Sequence, residues 1–191
     1  MEKQKRKKKT SSKYTKWIYV IPVILWMIFI FYMSSQNGDE SSSTSGVITD
    51  FIVGLLEKIR NDGAAEEESL RSIVGFGVRK LAHMFEYGVL FFLTLLAANK
   101  TGEGKNKSTV YNKILAVLIS FFYACTDELH QLMVSGRAGR MTDVLIDMIG
   151  VLIVLIFISA FKSSKWRIVT CFIFAVLIVG IFVWLLIGNF A

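Results

Sequence analysis

The stretch ILAVLISFFYACTDELHQLMV, residues 114–134, decides the fold. Twenty-one residues in helical form, rising about 1.5 Å each, reach across the roughly 30 Å hydrocarbon core of a bilayer. Up to Thr126 the stretch carries no charge, as a helix surrounded by lipid requires. It then meets Asp127, Glu128, His130 and Gln131 while still inside the span. The reading is therefore a membrane helix that carries costly polar groups near one end.

Working outward, three further segments meet the length requirement: Trp17 to Met33, Leu81 to Ala98 with a polar lead-in from Ile73, and Ile168 to Ile187. Val144 to Phe161 is slightly shorter and carries Asp147 near its start, but polar loops flank it and it is counted as spanning. Of the 191 residues, 53% are hydrophobic, one is proline, and the mean hydropathy is +0.52, more apolar surface than one soluble core buries. The expected fold is an all-α polytopic membrane bundle of about five transmembrane helices. No fixed-period repeat is visible.

Lysine and arginine in short loops resist translocation and set orientation. Eight of the 22 lie in residues 1–16, four in the loop 99–113, and three in the loop 162–167. All three segments fall on one side, which reads as N-in and C-out. The first outer loop, 34–72, holds eight acids against Lys58, Arg60 and Arg71. Within it Ser41 to Ser45 read as a linker. Val47 to Ile59 places Phe51, Ile52, Leu55, Leu56 and Ile59 at helical spacing, either along the outer interface or packed on the bundle. The first span is read as uncleaved, because its apolar run exceeds the usual ~7–15 residues of a signal peptide and no small-x-small site follows. Cys125 and Cys171 fall toward opposite faces, so a disulfide between them is not expected. The domain division is 1–16 as a basic cytoplasmic tail, 17–161 as a four-helix core with the loop 34–72, and 162–191 as an inner loop and fifth helix. The tail needs no nucleic acid: attraction to anionic lipid, about 1 kcal/mol per basic residue, accounts for it.

Charged groups inside a span each cost at least about 2.5–3.5 kcal/mol at the helix centre, so their positions carry information. Arg79, His83 and Glu86 share a helix face by spacings of four and three. Asp127, His130 and Gln131 share another, and Asp143, Asp147 and Gly150 a third. At 1.5 Å per residue, Glu86 lies roughly 10 Å below a boundary at Arg79, Asp127 roughly 9 Å down, and Asp147 roughly 6 Å below Asp143. One layer, open to the exterior, is the economical explanation. The alternative is glue: links such as Arg79 to Asp143 or Glu86 to His130 would merely tie the helices together, although such bonds contribute only about 0.6 kcal/mol each. Glu128 and Lys80 are read as turned toward headgroups, Arg140 as snorkelling, and Tyr87 and Trp17 as interfacial anchors.

Four motifs in order resemble the VanZ-like family of bacterial membrane proteins. They are Ser34-Ser35-Gln36, Arg79-Lys80-x-x-His83-x-x-Glu86-Tyr87, Asp127-Glu128-x-His130-Gln131, and Gly136-Arg137-x5-Asp143-Val144-x2-Asp147-x2-Gly150. The chain has Met133-Val134-Ser135-Gly136-Arg137 where the family usually has Phe-Val-Pro-Gly-Arg, which puts the rigidity of that loop in doubt. The resemblance implies a multi-pass protein of the bacterial plasma membrane with a cell-envelope role, since the family's namesake is associated with low-level teicoplanin resistance.

The candidate cluster is Gln36, Arg79, His83, Glu86, Tyr87, Asp127, Glu128, His130, Gln131, Arg137, Asp143 and Asp147. Its expected partners are membrane lipids and a glycopeptide antibiotic or lipid-linked wall precursor, bound through arginines that suit phosphate or carboxylate. The competing reading is an enzyme acting on a lipid phosphate or envelope ester, with His83 and His130 as acid, base or nucleophile and Arg137 stabilising negative charge. No cofactor is expected. Were a divalent metal held, His83, Glu86, Asp127 and His130 would be its donors.

Overall fold

The computed structural model describes residues 2–60, 64–101, 109–137 and 139–160. These form five helices: α1 (Glu2–Ser35), α2 (Gly38–Arg60), α3 (Ala64–Thr101), α4 (Thr109–Gln131) and α5 (Met141–Ala160), with no strand among the described residues. The expected fifth span, 168–187, the loop 162–167 and Cys171 lie outside them. Four stretches are long and apolar enough to cross a membrane: Trp17–Ser35, Glu68–Thr101, Thr109–Gln131 and Met141–Ala160.

The distribution of side chains is inverted relative to a water-soluble bundle. α4 buries Asn112, Ala116, Ser120, Ala124, Asp127, Glu128 and Gln131 while exposing Ile114, Leu118, Phe121, Phe122 and Leu129. Likewise α1 exposes Ile21, Ile24, Leu25, Ile28 and Phe31, and α5 exposes Leu145, Ile149, Leu152, Ile153 and Ile156. Lipid tails satisfy apolar surface as well as a neighbouring helix does, so small and hydrogen-bonding residues are what helices gain by turning toward one another. The exterior is lipid-facing and the polar groups are interior.

α3 is the central helix and packs against all four others. Its Tyr87, Val89, Leu90 and Phe91 are completely buried, and Ile30, Ala116, Ala124, Val144 and Val151 close around them from α1, α4 and α5. α5 crosses α3 at glycines. A Cβ on Gly150 would lie 1.9 Å from the Met84 carbonyl oxygen, and one on Gly88 would lie 3.3 Å from the Gly150 carbonyl oxygen. The two backbones touch there, and only a residue without a side chain permits it.

At about 1.5 Å per residue, the 38 residues of α3 extend about 57 Å, well beyond one hydrocarbon core. α2 lies antiparallel along its N-terminal part: Arg71 binds Asp50, and the Thr49 side chain sits against Gly75. Thr49 and Val53 are buried in that contact. Of the two placements expected for this segment, packing on the bundle is therefore present. The linker expected at Ser41 to Ser45 is instead helical, as part of α2. The local sequence is compatible with it, since Asn37, a capping type, stands just ahead of the first helical residue.

Candidate functional site

The polar residues gather where the C-terminal ends of the α1 and α4 spans meet the N-terminal end of α5 and the middle of α3. Asp127 is the hub. Its Oδ2 accepts hydrogen bonds from Ser34 Oγ at 2.9 Å and from Gln131 Nε2 at 3.2 Å, the latter one helical turn along α4. Gln131 Nε2 also lies 3.4 Å from Ser34 Oγ, which closes a triangle between α1 and α4. Next to it Ser35 Oγ and His130 Nε2 are 3.1 Å apart, and the His130 ring stacks on Phe31 with centroids 4.5 Å apart.

The turn from α4 to α5 is held from within. Leu132, Met133 and Val134 donate their amides back to Glu128, His130 and Gln131, and Arg137 donates to Val134. Gly136 supplies the left-handed backbone, with φ of 74°. The four bonds fix the loop with no proline ahead of the Gly-Arg pair. Two contacts then pin its far side. The Arg140 amide donates to Glu128 Oε2 at 2.8 Å, and a Cβ on Gly139 would lie 2.3 Å from the Glu128 carbonyl oxygen. Arg137 reaches across to α1 and donates from Nη2 to the Met33 carbonyl at 3.2 Å. Burial pushes its guanidinium below the usual arginine range, opposed by the negative charges of Asp127 and Glu86.

Between α3 and α5, Lys80 Nζ lies 2.6 Å from Asp143 Oδ2, and one turn deeper His83 Nδ1 lies 3.7 Å from Asp147 Oδ1. The second pair is within ionic reach but beyond hydrogen-bond distance. The side chains of Lys80, Asp143 and His83 keep 21%, 16% and 20% of their surface exposed, and Asp147 keeps none, so the cluster has a rim and a floor. Deeper again, Trp26 Nε1 donates to the Glu86 carbonyl at 2.9 Å, Tyr123 Oη donates to the Met27 carbonyl at 2.5 Å, and the Tyr87 and Tyr123 rings are 6.4 Å apart. Several buried atoms here have no hydrogen-bond partner: His83 Nδ1, Tyr87 Oη, Asp127 Oδ1, Glu128 Oε1 and both carboxylate oxygens of Asp147.

Of the expected residues, Asp127, Glu128, His130, Gln131, Arg137, His83, Asp143 and Asp147 come together, and Tyr87 is completely buried. Arg79 is half-buried with its guanidinium beside Gly75, on the α2 side, and Gln36 is half-buried just past the α1 span. Four expectations change. Lys80 and not Arg79 meets Asp143, and Glu128 turns inward rather than toward headgroups. Tyr87 is core and not an interfacial anchor. His130 bonds to Ser35 rather than to Glu86. Ser34, Ser35 and Gly139 complete the site; the Ser34-Ser35-Gln36 motif pointed at the right turn, but only its glutamine was singled out. Among the described residues, no three His, Cys, Asp or Glu are grouped to hold a metal ion.

The model of one family, VanZ/LLP1, matches residues 19–163. No curated protein and no solved structure matches the chain significantly.

Proposed function

We propose a role for this chain from one premise: it belongs to the VanZ/LLP1 family, whose model covers 145 of its 191 residues. It is a membrane protein, and the polar end of its bundle is a pocket that opens to the outside of a bacterial plasma membrane. There it takes the headgroup of an amphiphile, a lipoglycopeptide antibiotic or a lipid-linked wall precursor, and lowers susceptibility to glycopeptides of the teicoplanin type.

One observation carries this reading. Tyr87, Asp127, Glu128 and Asp147 are buried with polar atoms that have no partner, as has His83 Nδ1 beside them, near an arginine and a lysine at the end of a bundle whose exterior is apolar. A cluster that served only as glue would have used those atoms, because each unmade bond to a buried polar atom costs about 1–3 kcal/mol. The apolar helix faces supply a place for an acyl chain beside the pocket. The test compares teicoplanin susceptibility, and binding of a fluorescent derivative to whole cells, with and without the protein. Both should shift with wild type and not with Asp127→Asn at equal membrane abundance. Unchanged values for wild type would sink the reading.

The His83–Asp147 pair supports a second reading, in which the imidazole acts as acid or base on a lipid phosphate or envelope ester. Phosphate or carboxylate release from a panel of such lipids, abolished by His83→Gln, would favour it.

A further inference from the structure

We propose that Ser35 and His130 form a nucleophile and base pair that cleaves the acyl ester of a membrane lipid where the α1 and α4 spans end. The inference does not depend on the interior pocket, and it shares with the His83 reading only the ester, attacked from a different histidine.

The two serines that end α1 are placed for opposite uses. Ser34 is buried and bonded to Asp127, whereas Ser35 is exposed, with its Oγ 3.1 Å from Nε2 of the half-buried His130. That separation is within the hydrogen-bond reach required of a nucleophile and its base. The imidazole is held in place from one side, because its ring stacks on Phe31 with centroids 4.5 Å apart. The Ser35 hydroxyl has a single proton, donated to the Phe31 carbonyl at 2.6 Å. A turn about its Cβ–Oγ bond moves that proton to Nε2, which accepts it when the imidazole carries its own proton on Nδ1. A cation also reaches this last turn of α1: Arg137 donates from Nη2 to the Met33 carbonyl at 3.2 Å and keeps further N–H donors.

The surroundings select the substrate. Phe31 and Tyr32 precede Ser35 by four and three residues, share its side of α1 and are exposed. On α4 Leu129, next to His130, and Met133, just past the helix, are exposed as well. The pair therefore opens to the lipid-facing exterior at the end of two spans, the level at which the ester bonds of a lipid lie while its chains run along the apolar helix faces. A lipid reaches it sideways from the bilayer, with no entry into the sealed interior.

In the reaction, Ser35 Oγ bonds to the ester carbonyl carbon as its proton passes to His130 Nε2, and the carbonyl electron pair moves onto oxygen, where Arg137 stabilises the charge. The pair returns, the bond from carbon to the alkoxy oxygen breaks, and the lipid alcohol leaves with the proton from Nε2. The acyl group stays on Ser35. Water then gives a proton to Nε2 and attacks the acyl carbon; the fatty acid departs and the proton returns to Ser35 Oγ.

The test uses the purified full-length protein in dodecyl maltoside with two probes. Wild type should release hexanoate from dihexanoyl phosphatidylglycerol, and a fluorophosphonate should form an adduct located by peptide mass spectrometry on Ser35. Ser35→Ala should lose the adduct and the release, and His130→Gln should lower the release by about 100-fold or more, the contribution of a general base, at an unchanged unfolding midpoint. Release without an adduct on Ser35, or an adduct without release, overturns the proposal, as does the absence of both. Release that persists in Ser35→Ala overturns it too and returns the ester chemistry to His83. The location of the adduct and the release are both read on wild type, so a misfolded variant cannot decide the outcome.

Discussion

Replacing Gly150 by alanine tests how the site is assembled. The added methyl would sit 1.9 Å from the Met84 carbonyl oxygen and 2.7 Å from its carbon, in backbone that cannot rotate aside. Contacts of a real Cβ below 3.0 Å essentially never occur, so α5 must retreat from α3 by about 1 Å or more. Overpacking costs typically about 1–3 kcal/mol, and a methyl against backbone belongs at the upper end. At roughly 2–4 °C per kcal/mol, about 3 kcal/mol lowers the unfolding midpoint by roughly 6–12 °C. The same movement acts on function. His83 neighbours Met84, and Asp147 lies one turn before Gly150, so their 3.7 Å separation opens beyond the 4 Å of an ion pair. The assay is thermal unfolding in non-ionic detergent beside teicoplanin susceptibility at matched membrane abundance. Gly77→Ala is the control, because nothing lies within 4 Å of a Cβ there, and it should be neutral or stabilising by up to about 1 kcal/mol. Equal midpoints for the two variants would refute the contact and the assembly argument with it.

Ser34→Ala removes one of two donors to the buried Asp127 carboxylate and should destabilise by about 1–3 kcal/mol, read by thermal unfolding; no change would mean that water or another donor replaces it. In a double-mutant cycle, Lys80→Met and Asp143→Asn should couple by about 0.5–3 kcal/mol, and strict additivity would dissolve the pair as an energetic unit. For orientation, impermeant thiol reagent on intact cells should label a cysteine placed at Ser43 and spare one at Ser108; the reverse pattern would move the pocket to the cytoplasmic face.

The four spans within the described residues were legible because lipid imposes a length and a composition that composition alone reveals. The acids and histidines were legible for the complementary reason: lipid makes each one costly, so its presence is a signal. What sequence could not fix was the helix phase. Arg79 and Lys80 are consecutive and differ by about 100° around α3, and either can be assigned to Asp143 when the crossing point is unknown. The same ambiguity hid Glu128, which lies beside Asp127 and turns inward because the Arg140 amide and Gly139 come back over the end of α4. Tyrosine near a span end is usually an anchor, and the sequence points that way for Tyr87. α3, however, continues outward to Ala64, so Tyr87 is mid-helix and deep.

Phase and site are joined at Gly150. α5 approaches α3 closely over Gly150 and Gly88, and Asp147, three residues before Gly150, is thereby carried into the interior rather than left at the lipid edge. A helix pair spaced by ordinary side chains, about 8–10 Å between axes, would leave room for water and lipid beside such a carboxylate. Here the backbones touch, Asp147 is completely buried, and the His83 imidazole lies 3.7 Å from it. An acid sealed this tightly adds little to holding the bundle together. The glycine crossing is what carries this carboxylate into the bundle, since an alanine at the crossing and an apolar residue at Asp147 would together have given a looser bundle with no carboxylate to bury.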